Sequence, residues 1–319
     1  MKLIVALILV PVTFFGQIPQ RLSLEDAIKL GQERSKMLSI SRTKVETASA
    51  RSSESNANLL PSITVAGGYS RLSDVTPFEI PAGLLGNPQP LVISPVVLDN
   101  YSSRITVQQP IFTGFKLRSN ARAAEYIAKA SESDYKNDKA DLTLNVTSAY
   151  WSLYQNLETK KLSDENVNRL QTYHNDTKNL MNAGMATRND LLKIEVQLSN
   201  AKLMQIDALN DVDVAMMNLN NIIGQPIETQ IELTSAPNDT TRIFGGRLYP
   251  ELLEQAFNSR PDVQSLQSRI EASKATVTAA QGNYFPQIFL TGNYYYNRPN
   301  SRYFPTIDEF KSTWDIGVQ

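Results

Sequence analysis

The sequence predicts a mainly α-helical fold with a β-barrel contribution: a long antiparallel coiled coil carrying strand hairpins at one end. Three observations predict it. A helix–Pro–strand unit occurs twice, at a constant offset of 225 positions. The stretch between the two copies is almost unbroken helical sequence. One arm of that stretch keeps an apolar heptad from Leu191 to Ile222, the pattern of a coiled-coil seam.

The chain opens with Lys2, the apolar run Leu3 to Val10, and Pro11 to Gly16. A basic start, an apolar core and a small residue make a secretory signal peptide over residues 1–16, cut near Gly16. The run falls short of the ~20 residues a spanning helix needs, and with no Cys present it offers no thiol for lipid attachment. No later segment is long and apolar enough for a spanning helix. A chain of this kind enters a membrane with strands.

The repeat comes next. Ala57-Asn-Leu-Leu-Pro61-Ser-Ile-Thr-Val-Ala-Gly-Gly-Tyr69 returns as Gly282-Asn-Tyr-Phe-Pro286-Gln-Ile-Phe-Leu-Thr-Gly-Asn-Tyr294. Proline removes a backbone donor and ends each helix, so helices are expected near Met37–Leu60 and Asp262–Phe285. The residues after each proline alternate as a half-buried strand does. In the first copy Ile63, Val65 and Tyr69 share one face, and Thr64, Ala66 and Ser70 the other. Strands are expected at Ser62–Leu72, Ser102–Phe112 and Gln287–Asn297, the length of a tilted membrane strand. Ser103–Gln108 resembles Trp314–Gln319 at a second offset, of 211 positions. The first copy runs on into a long helix; the second stops at Gln319, which reads as a fragment lacking its second helical hairpin. Tyr69, Tyr101, Tyr294, Tyr295 and Tyr296 are candidates for interfacial girdles. Asp74–Asn100, with Pro77, Pro81, Pro88, Pro90 and Pro95, forms the loop between the first two strands.

Between Lys116 and Ile223 there is no Pro, and Gly184 is the only Gly. The seam of the second arm is Leu191, Ile194, Leu198, Ala201, Gln205, Ala208, Val212, Ala215, Leu219 and Ile222; all but Gln205 are apolar. The first arm is looser, with Leu142, Val146, Ala149, Leu153, Leu157, Val167 and Leu170. At ~1.5 Å per residue the outgoing arm, Thr113 to Ala183, is roughly 105 Å long and the return arm, Thr187 to Ile223, about 55 Å. A short helix of about 35 Å stacked on the return arm nearly makes up the difference. Gly224–Arg247, rich in Thr, Asn and Pro, forms a bulge halfway along.

The composition removes other classes. The 319 residues carry 31 Lys+Arg against 32 Asp+Glu, a net charge of -1, so no global field draws nucleic acid. One His and no Cys leave almost nothing for a metal cluster or a nucleophilic triad. No catalytic residue, cofactor site or metal site is expected, and the chain is not read as an enzyme. His174 reads as a solvent-facing helix residue, and Tyr150, Trp151 and Tyr154 as packing between helices.

The signal peptide, the twofold repeat and the turn Ala183-Gly-Met-Ala-Thr-Arg-Asn-Asp190-Leu-Leu together resemble the TolC-like outer membrane efflux protein family. Leu219-Asn-Asn-Ile-Ile-Gly224-Gln-Pro and Asn258-Ser-Arg-Pro261-Asp-Val are similar to that family's motifs at the end of the return arm and at the start of the second repeat. The resemblance covers Leu22 to Gln319. It implies a homotrimer whose protomers each give four strands to one shared transmembrane β-barrel of about twelve strands, with helices forming a coiled-coil α-barrel across the periplasm. It implies an outer membrane location in contact with lipid, a periplasmic adaptor protein docked at the tip, and an inner-membrane pump as further partner. Residues 17–319 then form the duct: a first repeat over about 22–224, an equatorial linker over about 225–247 and an incomplete second repeat over about 248–319. The function implied is a passive channel of a tripartite efflux or secretion system. On the resemblance, Ala183, Gly184, Met185, Ala186, Thr187, Arg188 and Asp190 form the adaptor contact, while the same residues also read as a plain helix reversal. The competing reading is a periplasmic coiled-coil adaptor, which should carry a β-rich segment on both sides of one hairpin.

Overall fold

The computed structural model describes residues 20–73, 75–83, 86, 88–94, 96–237 and 249–319. The expected signal peptide lies outside them, as does the far half of the expected bulge. The described chain runs β1 (Gln20–Leu22), α1 (Leu24–Arg34), α2 (Lys36–Ala57), β2 (Ser62–Arg71), β3 (Phe78–Ile80), β4 (Leu91–Ser94), β5 (Asp99–Phe112), α3 (Lys116–Asn182), α4 (Arg188–Ile223), β6 (Ile231–Leu233), α5 (Tyr249–Ser259), α6 (Pro261–Gln281), β7 (Ile288–Asn297) and β8 (Lys311–Val318). It divides into two compact units, one of residues 1–43 and 134–260, the other of residues 44–133 and 261–319. Helices α2 and α3 contribute to both.

The first unit is built on the coiled coil. Helix α3 has 67 residues and α4 has 36, or about 100 Å and 54 Å at ~1.5 Å per residue. Leu198, Ala201, Ala208, Val212, Ala215 and Leu219 of the expected seam are buried, opposite Leu142, Val146, Ala149, Leu153 and Val167 of α3. Its one polar member, Gln205, is satisfied across the seam: its amide donates to Asp164 Oδ1 at 2.7 Å, and Lys160 pairs with the other carboxylate oxygen at 3.1 Å.

The end of the coil is sealed by elements with no counterpart in the sequence reading. Ser23 caps α1 by accepting the Asp26 N–H, and Leu22 and Ala27 join the core formed by Val146, Tyr150, Leu153, Leu219 and Ile223. Strands β1 and β6 pair in parallel, Leu22 opposite Leu233. The near half of the expected bulge therefore contains a short strand. Tyr150 is fully buried; its hydroxyl donates to Leu22 O at 3.1 Å and accepts the Ser235 N–H at 3.0 Å. One side chain thus ties the long helix to β1 and to the chain just beyond β6. Asn220, also fully buried, donates to Ile227 O and Thr229 O and fixes the chain as it leaves α4. Helix α4 stops at Gly224, whose φ of 72° is left-handed. A Cβ there would lie 3.1 Å from the Arg34 carbonyl, so both backbone angle and space call for glycine.

The second unit carries a four-stranded antiparallel sheet in the order β2-β5-β7-β8. Its strands keep repeat order, the two of the first repeat and then the two of the second: β2 and β7 follow the two prolines, and β5 and β8 follow them in the chain. Strand β5, at 14 residues, begins three positions earlier than expected, because Asp99, Asn100 and Tyr101 pair with Arg71, Ser70 and Tyr69. The loop between β2 and β5 is not plain coil: β3 and β4 form a small hairpin within it.

Register sorts the side chains of the large sheet by polarity. Along one face the cross-strand rows read Ile63–Val107–Gly292–Ile316 and Val65–Ile105–Tyr294–Trp314. Along the other they read Thr64–Thr106–Asn293–Asp315 and Ala66–Arg104–Tyr295–Thr313. The apolar face is uncovered: Val65 is 71% and Trp314 70% exposed. On the polar face, Thr106 Oγ1 donates to Asn293 Oδ1 and the Asn293 amide to Asp315 Oδ1, each at 2.8 Å, a chain of bonds crossing three strands. Among the tyrosines expected as girdles, Tyr69, Tyr101 and Tyr296 gather with Phe310 at one end of the apolar face, ring centroids 5.0–5.8 Å apart. Tyr294 lies farther along that face. Tyr295 does not belong there: strand alternation turns it onto the polar face.

Candidate functional site

The reversal between α3 and α4 is built from two local devices. Gly184 takes a φ of 74°; its N–H donates to Met181 O at 3.0 Å, and the Met185 N–H reaches back to Leu180 O at 2.8 Å. This bonding pattern satisfies the last carbonyls of α3. Helix α4 then starts on a capping box. Thr187 Oγ1 accepts the Asp190 N–H at 3.2 Å, and Asp190 Oδ2 accepts the Thr187 N–H at 3.0 Å and its hydroxyl at 2.6 Å. Thr187 is therefore the cap and Asp190 its partner three residues on. The Thr187 bonds, side chain first and then backbone, hold the Asp190 carboxyl below its ordinary value.

The rest of the turn faces outward. Ala183, Gly184, Thr187, Arg188 and Asp190 are exposed and Ala186 half-buried. Met185 is 72% exposed, a flexible apolar side chain with no use in the fold. All seven expected site residues are thus contiguous on one tip, and nothing lies within 4 Å of a Cβ built on Gly184. His174, two turns back on α3, is not simply solvent-facing: it is half-buried, with Nε2 3.4 Å from Glu195 Oε1 of α4. Trp151 stands edge-on to both Tyr150 and Tyr154, the packing expected of the three.

Known proteins carry the same chain pattern. The family described as outer membrane efflux protein matches residues 27–225, from α1 through the coiled coil to the end of α4. The chain belongs to the outer membrane efflux protein family. Among curated relatives of this efflux family, the outer membrane efflux protein BepC of Brucella suis is 25% identical over 193 residues, covering 59% of this chain and 40% of BepC. The alkaline protease secretion protein AprF of Pseudomonas aeruginosa is 20% identical over 221 residues, 69% of this chain and 45% of AprF. The chain spans less than half the length of these two relatives. The CmeC outer membrane channel of Campylobacter jejuni has the same fold, with a TM-score of 0.74 over 93% of this chain and 60% of CmeC at 18% identity.

Several residues that shape this efflux-family chain escape sequence reasoning. The bonds of Tyr150 depend on the pairing of strands β1 and β6, three residues each and about 200 positions apart in sequence, and those of Asn220 on the path of the chain through Ile227 and Thr229. A signal for α1 is present in Ser23 and Asp26 with Leu24, Ala27 and Ile28 at helical spacing. The polar row across the sheet is legible as alternation, but its registry is not.

Proposed function

We propose that this chain is a protomer of the outer membrane duct of a tripartite efflux or secretion system, a homotrimer docked to a periplasmic adaptor and an inner-membrane pump. One observation carries the reading: the four-stranded sheet leaves a largely apolar face uncovered while hydrogen-bonding along its polar face. A water-soluble sheet hides its apolar face; a membrane barrel turns that face to lipid and its polar face to the bore. The aromatic ends fit the same picture. Tyr101 packs against Tyr69 at one end of β5 and Phe112 against Phe115 at the other. The eleven steps from Tyr101 to Phe112 at ~3.3 Å span roughly 36 Å, and a tilt of about 45° reduces this to about 26 Å, against an apolar band about 25 Å tall. Three copies of four strands close a ring of about twelve and remove the open edges of β2 and β8. The helical part then stands in the periplasm, and the duct passes cargo without chemistry of its own. The adaptor reading wants β-rich segments on either side of one hairpin; here the strands from both sides join one two-faced sheet.

In this reading the exposed turn from Ala183 to Asp190 is the adaptor contact. Its test needs substitutions that leave the turn's backbone alone. Gly184→Trp would strain a left-handed φ, so Met185→Asp with Arg188→Glu is the better probe. Dye efflux should fall while the trimer band in the outer membrane keeps its level. Efflux at the level of the unaltered protein would show that the turn is only a turn.

A further inference from the structure

The connection between β7 and β8 does something that strand-to-strand loops rarely do. Loops normally leave the strand ends and run over the surface. Here the loop folds back along the polar face of the sheet. Asn300, 2% exposed, donates to Lys311 O at 3.0 Å and Thr313 Oγ1 at 3.2 Å, and its own carbonyl accepts the Arg302 N–H at 3.0 Å. Arg302 is thereby aimed down the sheet. Its guanidinium pairs with the Asp315 carboxylate, donates to Trp314 O at 3.3 Å, and lies 4.6 Å from the centre of the Tyr295 ring. Asp315 and Tyr295 both belong to the polar face. Asp315 is four residues inside β8, about 13 Å from its first residue at ~3.3 Å per step.

The anchorage is more than one surface ion pair, which alone would hold little. The planar guanidinium meets a carboxylate and a ring at once, a combination lysine cannot reproduce. Asp315 is itself fixed by Asn293, and Asn293 by Thr106. The far side of the loop is tied as well: Ser94 of β4 donates to Thr306 Oγ1 at 2.8 Å and accepts the Thr306 N–H at 3.2 Å, and Arg298 grips Asp308 through two bonds of 2.7 and 3.1 Å. The same face carries Arg104, exposed and without an ion pair among the described residues. With Asp315 neutralised by Arg302, the face holds an excess of positive charge at this level.

We propose that Arg302, locked to Asp315 and laid on Tyr295, narrows the outer end of the bore and, with Arg104, selects against bulky and cationic cargo there. The proposal rests on the duct reading, in which the polar face lines the bore and the loop end of the sheet is the outer mouth. Three copies then bring three Arg302–Asp315 pairs to one level and leave three unpaired Arg104 guanidinium groups beside them, a fixed cationic ring of the kind that sets pore selectivity. The trimer purified from the outer membrane and inserted in planar bilayers provides the test. Arg302→Ala should raise single-pore conductance and shift the reversal potential in a salt gradient toward cations. Asp315→Asn, which keeps the side chain's size, should also raise conductance by freeing the loop. In conductance the double variant should add nothing beyond Arg302→Ala, since both break one lock, while its reversal potential should lie nearer wild type because the unpaired Asp315 carboxylate is gone. A conductance that Arg302→Ala leaves unchanged, or conductance effects of the two substitutions that simply add, would overturn the proposal and leave the duct reading standing. A wild-type trimer that forms no pore would overturn both.

Discussion

The coiled coil of α3 and α4 and the four-stranded sheet use the same apolar residue types under opposite rules. Along the seam, Val146, Leu153 and Leu219 are fully buried. On the sheet, Val65, Ile316 and Trp314 stand in rows with nothing over them. Burial within the chain stabilises the first region by about 25 cal/mol per Å² of apolar surface. No such gain is available to the sheet from its own chain. An apolar row maintained across β2, β5, β7 and β8 without a covering layer needs a different solvent, and lipid is the one that accepts it. The difference teaches that exposure has meaning only once its pattern is known: scattered apolar residues on a surface are ordinary, whereas one whole face in register is an interface.

The contrast can be broken at either region. The largest effect is expected in the seam. Leu219→Ala removes a fully buried side chain at the centre of the main core and should cost about 2–5 kcal/mol, seen as a lower midpoint in helix unfolding followed by circular dichroism. A midpoint within error of wild type would mean that the α4 seam does not hold the fold. On the sheet, Val65→Arg should cost roughly 2–4 kcal/mol where the residue meets lipid. Thr64→Arg, one position away on the polar face, should be tolerated. Trimer yield from outer membranes reads both. Equal loss from the two variants would remove the distinction between the faces. A smaller effect is expected at Tyr150→Phe, which keeps the ring but takes a partner from both Leu22 O and the Ser235 N–H. A loss of about 1–3 kcal/mol follows for buried groups left unpaired, with faster hydrogen exchange in β1 and β6 than in the seam. Unchanged exchange there would show that the hydroxyl is dispensable.

How much of this was legible depended on range. The seam and the two sheet faces are local periodicities of 3.5 and 2, so Leu198 to Leu219 and the alternation through Ile63, Thr64 and Val65 announce themselves. The turn is also local, because a single Gly and a Thr–Asp pair three apart carry all its bonding. What failed to appear needed distant partners. Strands β1 and β6 are too short to show a period and exist because each finds the other and Tyr150. Tyr295 looks like its neighbours Tyr294 and Tyr296, yet register puts it under Arg302. The fold-back of the loop after β7 rests on Asn300 bonding to β8, which no spacing announces.

The smallest effect lies at the tip, where α3 turns into α4, and it sharpens the comparison through pH. The seam is held mainly by apolar side chains, with the Asp164–Gln205 contact and the His174–Glu195 pair as its polar links, whereas the turn depends on the Asp190 carboxylate accepting two bonds from Thr187. Those bonds depress the folded-state pKa of Asp190 below its ordinary 3.8. A depressed carboxyl contributes stability that is fully present above the unfolded value and is lost as pH falls through the folded one. The turn should therefore stay closed at neutral pH and begin to open only below about pH 4, while the seam beyond Leu191 keeps its protection. Hydrogen exchange of the segment from Leu180 to Leu192, corrected for the intrinsic rate at each pH, would measure this. Thr187→Ala removes the hydroxyl's bonds and keeps the backbone N–H bond to Asp190, so it should reduce the pH dependence and leave a turn more open at every pH. If the wild-type turn opens no further on acidification, or if Thr187→Ala keeps the same profile, the capping box does not hold the tip and its bonds are incidental to the reversal.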